Sequence, residues 1–541
     1  MSKKKIVGVL LIVIVAALAL FLRGRSVGND PVAQTIVRDI ISLDKGQISS
    51  FDPLDAFHAN HIQLVKQLFS TLTELDPQGN IVPGLAKSWQ SQDGRTWSFR
   101  LREKVRFVAD PCFQTDQERE VTAEHVKYSL RRLLTPATKS IGASYFSHIV
   151  GARAFIEGKA TDIDGIKVID NQTIEFHLEQ PDFGFPKTLS VAFASIVHPR
   201  VIACKGDKAK MSPVGTGPFV LEKYDPTAGI TLARNGEYWE SDGAKSLPWA
   251  SKIEISVVAD QSAAVRALIA GQTNFLDLTP AAEAQISSEI QSGKFIVDRK
   301  EWTQFNFLLV NLERIPNSAQ RRYLANLMNY ENIQGSVGKF GRASAGIYPY
   351  AIFPRLAEAE LRDLANSPKP YAQPDIKLPH PLRMVTFDDF LSRSVAQRIA
   401  EDLRKQNIEL EIESVAFPIL VERLLAGKYD LIQLYWGPLF SEETHFLTPF
   451  LSRSFPPGGN NFNRYANPEV DRLAAGLRTM QPDDAQQALL HISRLMHEDV
   501  PLLPLYYSIA ARASDGRFEL PLHPLGYKFY KLVRPRPAKP S

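Results

Sequence analysis

The chain has 541 residues, 44% of them hydrophobic and 23% charged, which is more than one hydrophobic core usually holds, so two or three lobes are expected. Lysine and arginine (63) barely exceed aspartate and glutamate (59), and no stripe interleaves basic with aromatic residues, which sets nucleic-acid binding aside. Lys3, Lys4 and Lys5 precede an uncharged run from Ile6 to Leu22 that Arg23 and Arg25 close. As a helix the run would cover roughly 25 Å, near the lower limit for crossing a bilayer. Ala17 and Ala19, the small residues that cleavage would need, lie inside the run, and no cysteine precedes Cys112 for acylation. An uncleaved anchor through residues 6–22 is therefore expected, with a cytoplasmic N-terminus and the remainder of the chain on the outer face.

After the polar linker, Thr35 to Ile41 reads as a strand and His61 to Leu72 as an amphipathic helix. Trp97-Ser98-Phe99-Arg100-Leu101 and Ile174-Glu175-Phe176-His177-Leu178 alternate as strands do, with a helix from Thr122 to Leu134 between them that Thr122 caps. The two cysteines, Cys112 and Cys204, both stand in loop-like sequence; a disulfide and two unpaired thiols are equally open, and no spacing suits a metal. The second half gives a strand at Leu382 to Phe387, a helix at Phe390 to Gln406, a strand at Glu409 to Val415, a helix at Pro418 to Ala426 and a strand at Tyr429 to Trp436. Such a βαβαβ series forms a parallel sheet whose sites lie beyond the carboxyl ends of the strands, which points to Trp436 and the loop after it. A helix near Asp484 to His497 and a strand near Leu502 to Ile509 are expected to return the chain to the first lobe.

Segments spread over most of the chain resemble the peptide, oligopeptide and nickel class of extracellular solute-binding proteins that serve ATP-driven importers. They include Leu68 to Leu72, Pro83 to Trp89, Asp93-Gly94 with Trp97 to Arg102, Val121 to Val126, Val214 to Phe219, Arg234-Asn235 through Tyr238-Trp239, Tyr429 to Leu431 and Tyr465 to Asp471. The resemblance implies a two-lobed α/β periplasmic-binding-protein-like fold with an extra subdomain, mixed sheets flanked by helices, a hinge and an interlobe cleft. It divides the chain into an anchor and linker (1–28), a first lobe (29–75, 190–275 and 495–541), a subdomain inserted in it (76–189) and a second lobe (276–494). Gly215 and Gly217 suit a tight turn with unusual backbone angles, Trp89 and Trp97 read as packing residues, and Asn467-Pro468 starts a helix.

Cleft residues follow from the same resemblance. Trp302, Phe305 and Asn306 open a strand toward Asn311, and Trp436 closes another; relatives carry a carboxylate for a peptide ammonium three residues beyond that tryptophan, where this chain has Leu439. Gln433 stands where some relatives have arginine, and Glu442, beside Glu443, offers a substitute charge in the same loop as His445. No nucleophile elbow, His-Glu-x-x-His pattern or lysine-backed Gly-rich loop occurs, so neither an enzyme nor a cofactor is expected. The expected activity is capture of a peptide or similar small solute by a monomer, for delivery to the permease of an ATP-driven importer. A membrane-anchored receptor on the same scaffold is the alternative, with a hydrolase behind it.

Overall fold

The computed structural model describes residues 35–42, 48–56, 59–138, 140–242, 245–258, 260–351, 353–366, 377–437, 446–456 and 460–537. The run expected to anchor the chain lies outside them; among the described residues no helix is long and apolar enough to cross a membrane.

Alternation of apolar and polar residues builds the first lobe. Strands Ile36–Ser42, Lys252–Val258, Gly229–Arg234 and Phe219–Asp225 lie side by side in that order, the first pair parallel and the others antiparallel. Every second side chain, among them Val37, Ile253, Ile255, Ile230 and Leu232, enters a core shared with Val65 and Leu68 of the helix Ala59–Leu68. This helix stops four residues short of the expected Leu72 because the Gly215–Gly217 turn covers its end: the Gly217 N–H donates to the Leu68 carbonyl at 3.1 Å. A Cβ on Gly215 would lie 2.1 Å from that carbonyl oxygen, so the glycines serve close approach; neither has a positive φ.

The inserted subdomain is an antiparallel sheet ordered Ala86–Gln90, Thr96–Leu101, Thr173–His177, Ile166–Asp170, covered by the helix Ala123–Leu134. Val126, Leu130 and Leu133 of that helix share a core with Phe99, Phe176 and Trp97. Thr122 caps it, and the Thr122 N–H donates to His125 Nδ1 at 3.0 Å. Trp97 is buried with its Nε1–H donating to the Gly94 and Asp182 carbonyls, and Trp89 stacks on Phe99 at 6.2 Å, so both are packing residues. The links that fasten the subdomain to its lobe include a Cys112–Cys204 disulfide with Cα atoms 6.0 Å apart, and a fork from Arg132 to both oxygens of buried Asp52 at 2.8 and 2.5 Å.

The second lobe holds a seven-stranded sheet. Its main order is Phe275–Asp277, Leu502–Ser514, Ile296–Val310, Leu431–Trp436, Leu382–Phe387, Leu410–Val415, and Gly341–Ala343 also pairs with Leu502–Ser514. The last three strands of the main order are parallel, joined by helices Phe390–Arg404 and Phe417–Leu425, within two residues of the expected βαβαβ series. Two cores sandwich the sheet, one with Val395 and Ile399 and the other with Leu420, Leu473 and Ile492. The strand Leu502–Ser514 starts in the second lobe and carries the chain back toward the first, where Ala511 and Ala513 pack with Ile40 and Val258. Leu502, Leu503 and Leu505 enter the second lobe's cores, as does the preceding helix Pro482–Asp499 through Leu489 and Met496. The return is complete after Ser514, where Leu520, Tyr530 and Val533 join the first core.

Candidate functional site

Two long strands carry the chain between lobes. Ile296–Val310 and Leu502–Ser514 pair antiparallel from Ile296↔Ser514 to Leu309↔Leu502, with register shifts between Glu301 and Phe305 and between Asn306 and Phe307. Such irregularity bends and twists a ribbon, and here it falls where the ribbon leaves one lobe for the other. Below the bend, the Thr303 N–H donates to the Pro524 carbonyl at 2.9 Å, and Lys300 Nζ donates to the Pro77 carbonyl at 2.9 Å. Trp302 packs on the C-terminal segment of the first lobe, so closely that a Cβ on Gly526 would fall 2.5 Å from its ring. At the base, buried Asp39 accepts from Lys528 Nζ at 2.6 Å, Lys528 reaches Asp277 at 3.1 Å, and Arg512 Nε donates to Asp277 at 2.7 Å. These alternating charges fix the hinge ribbon to the first lobe, and both cations hold the Asp277 carboxyl below its ordinary range against the opposing effect of burial.

Strand pairing fixes the orientation of the second lobe. Phe305 is opposite Trp436, so the parallel strands reach their carboxyl ends beside the bend, facing the first lobe across a cleft. A second contact bridges the lobes at Arg478. Its Nη1 donates to Asp182 of the subdomain at 3.1 Å, and the Phe183 N–H donates to the Arg478 carbonyl at 3.2 Å. Burial acts to raise the Asp182 pKa, but the hydrogen bond from His148 and the charge of Arg478 prevail and lower it.

The predicted site residues separate in this frame. Trp302 and Trp436 stand at the junction, both partly buried. Phe305 is not a cleft residue: it is fully buried, stacked on Phe307 at 5.1 Å and on Tyr507 at 5.3 Å, because its side chain faces the core side of the pleat. Asn306 is also buried, and its Nδ2 donates to Ser508 Oγ at 3.0 Å and to the Tyr506 carbonyl at 3.4 Å, holding the two crossing strands together. Gln433 is buried under the helix Phe390–Arg404, where its Oε1 accepts from Thr386 Oγ1 at 2.6 Å and its Nε2 donates to Ser392 Oγ at 3.4 Å. Leu439 and Glu442, with Glu443 and His445, lie outside the described residues.

An aromatic ledge at the strand ends went unread in the sequence. Phe387 ends the strand Leu382–Phe387, Phe417 starts the helix Phe417–Leu425 and Tyr435 stands next to last in the strand Leu431–Trp436. The Phe387 ring lies 6.4 Å from that of Phe417, with planes 8° apart, and 5.3 Å from that of Tyr435. Phe417 is 58% exposed and Tyr435 49%. The available signal was an aromatic residue at a strand or helix terminus on the carboxyl edge of the sheet. No group of three His, Cys, Asp or Glu among the described residues could hold a metal ion.

The sequence pattern of the bacterial extracellular solute-binding proteins, family 5 (middle region), matches residues 80–456. The chain belongs to that family. This family-5 protein is 26% identical over 492 residues to the periplasmic murein peptide-binding protein MppA of Escherichia coli K12, covering 87% of each chain. The solved structure of the E. coli murein tripeptide binding protein MppA superposes with a TM-score of 0.70 at 21% identity, over 93% of this chain and 99% of that one. The Helicobacter pylori periplasmic binding protein DppA, solved in complex with peptide STSA, gives 0.69 at 19% identity over 93% and 99%. The family-5 protein therefore has the two-lobed fold of these structures, and its family is one of solute-binding proteins.

Proposed function

We propose that this protein captures a peptide, or a small solute of similar chemistry, between its lobes and delivers it unchanged, as a monomer, to the permease of an ATP-driven importer. The observation that carries the reading is the geometry of the cleft: the carboxyl edge of a parallel sheet faces the first lobe across a bulged two-strand hinge in a family-5 scaffold. Peptide-binding names and a peptide-bound structure among the relatives supply the solute class. Closure over a solute removes its surface from water and presents both lobes together to a membrane partner. The run at residues 6–22 would hold the protein at the outer face of the membrane, in the periplasm or its equivalent.

The test is thermal unfolding of the purified chain with di-, tri- and oligopeptide pools, together with native mass spectrometry for a co-purifying solute. A ligand at a hundred times its Kd should stabilise the protein by about 2.7 kcal/mol. Recovered peptides should be intact. Absence of any thermal shift and of any co-purifying small molecule would overturn the proposal, and peptide cleavage would replace it with the hydrolase.

A further inference from the structure

The aromatic ledge has no structural need to be exposed. Phe387 packs, partly buried, against the core that holds Leu420 and Leu424, yet Phe417 and Tyr435 extend the stack into solvent. Phe390, three residues beyond Phe387, is 61% exposed. Large apolar side chains gathered at one rim, where a soluble protein could carry polar ones, mark a contact surface. Its position identifies the occupant. The ledge lies at the carboxyl ends of the parallel strands, on the edge of the sheet that carries Trp436 beside the hinge bend, where sites in such sheets form.

The carboxylates beside the ledge are engaged elsewhere. Asp388 pairs with Arg393 and accepts from Ser414 Oγ at 3.4 Å, while Asp389 accepts the N–H groups of Leu391 and Ser392 at 2.9 and 3.0 Å as the helix cap. Burial raises the Tyr435 pKa, so the phenol stays neutral. What remains is ring face and aliphatic surface, which favour another ring face or a bulky apolar side chain and offer little to a small polar one.

We infer that the Phe387–Phe417–Tyr435 ledge is the specificity wall of the cleft, and that the solute this protein takes carries an aromatic or bulky apolar side chain that lies on it. The inference rests on the proposed capture of peptides and specifies which ones. Stacking can occur only after the solute enters, so the ledge acts on dissociation more than on encounter.

Isothermal titration of the full chain with tripeptides of equal length and charge, alanine-phenylalanine-alanine against alanine-serine-alanine, tests it. The phenylalanine peptide should bind at least tenfold more tightly. Phe417→Ser and Tyr435→Ser, both at half-exposed positions, should each reduce that preference to threefold or less while the serine peptide binds as before. Phe390→Ser provides a third variant at a more exposed position and should weaken the preference without altering the thermal midpoint. Equal affinity of the native protein for both peptides, or a preference that survives the two ledge variants, overturns the inference and leaves peptide capture standing. Failure of the native protein to bind either peptide also overturns the inference, while peptide capture is decided by the peptide pools. Variants that keep the tenfold preference but lose uptake in cells would show the ledge docking the permease, which also overturns the inference.

Discussion

Lys66 should destabilise the protein at neutral pH. It extends from the helix Ala59–Leu68 over the Tyr527 ring at 5.2 Å and donates to the Ser190 carbonyl at 3.0 Å, and burial of its ammonium lowers the pKa from 10.5 to about 8, Glu74 opposing the shift and Lys531 adding to it. At pH 7 the unfolded chain is protonated with a free pKa near 10.4 while the folded chain resists the same proton, so the penalty is fully present below pH 8, declines between 8 and 10.5 and is gone above that. The shift is worth about 3 kcal/mol at pH 7 and about 1 kcal/mol at pH 9.5. Lys66→Met keeps the length of the side chain and removes the charge, at the loss of a hydrogen bond and a cation–π contact worth together about 1.5 kcal/mol. The variant should therefore be more stable than the native protein by about 1 to 2 kcal/mol in urea unfolding at pH 7, and the advantage should shrink by about 2 kcal/mol at pH 9.5. A variant less stable at pH 7, or a difference that does not change with pH, would refute the reasoning.

Four other outcomes follow from the geometry. His125 packs 4.4 Å from His198, and burial with that neighbour lowers its pKa from 6.5 to about 4; stability should fall as pH drops from 6.5 to 4, by about 3 kcal/mol for this group, and His125→Gln should flatten that part of a pH-resolved urea series. Asp39→Ala leaves Lys528 and Tyr530 without a buried carboxylate and should cost about 3 kcal/mol in the same assay, with the loss concentrated in the first lobe by hydrogen exchange. Cys112→Ser opens the disulfide that joins positions 92 residues apart and should cost about 4 kcal/mol, after which added reductant should have no further effect on the unfolding midpoint. Phe305→Ala should cost about 4 kcal/mol of stability while changing peptide affinity of the folded protein less than threefold in calorimetry, as a core residue and not a cleft residue requires.

Much of the second lobe is legible because its signals are local. The series from Leu382 to Trp436 alternates strand-like apolar runs with helices whose apolar faces recur at helical spacing, and Asp389 and Asn467 cap helices through hydrogen bonds within three residues. The lobe to which a strand belongs is not local. Leu502–Ser514 begins with Leu502, Leu503 and Leu505, which fill the second lobe, and ends with Ala511 and Ala513, which pack where the ribbon crosses. Its partner Ile296–Val310 lies some two hundred residues away, and only that pairing shows that one strand serves both lobes.

The same distinction explains the site. Phe305 and Gln433 lie on strands that end at the cleft, so proximity in sequence made them candidates, but alternation along a strand decides which face a side chain takes and depth in the sheet decides whether it meets solvent. Phe305 turns into the aromatic core with Tyr507, and Gln433 turns under a helix where Thr386 and Ser392 satisfy its amide. Tyr435, two residues after Gln433, emerges at the rim because the strand ends one residue later and the sheet no longer covers it. A binding wall is thus set less by residue type than by how many residues separate it from the end of its strand, and the three rings of the ledge satisfy that condition on three elements that the sequence separates and the parallel sheet aligns.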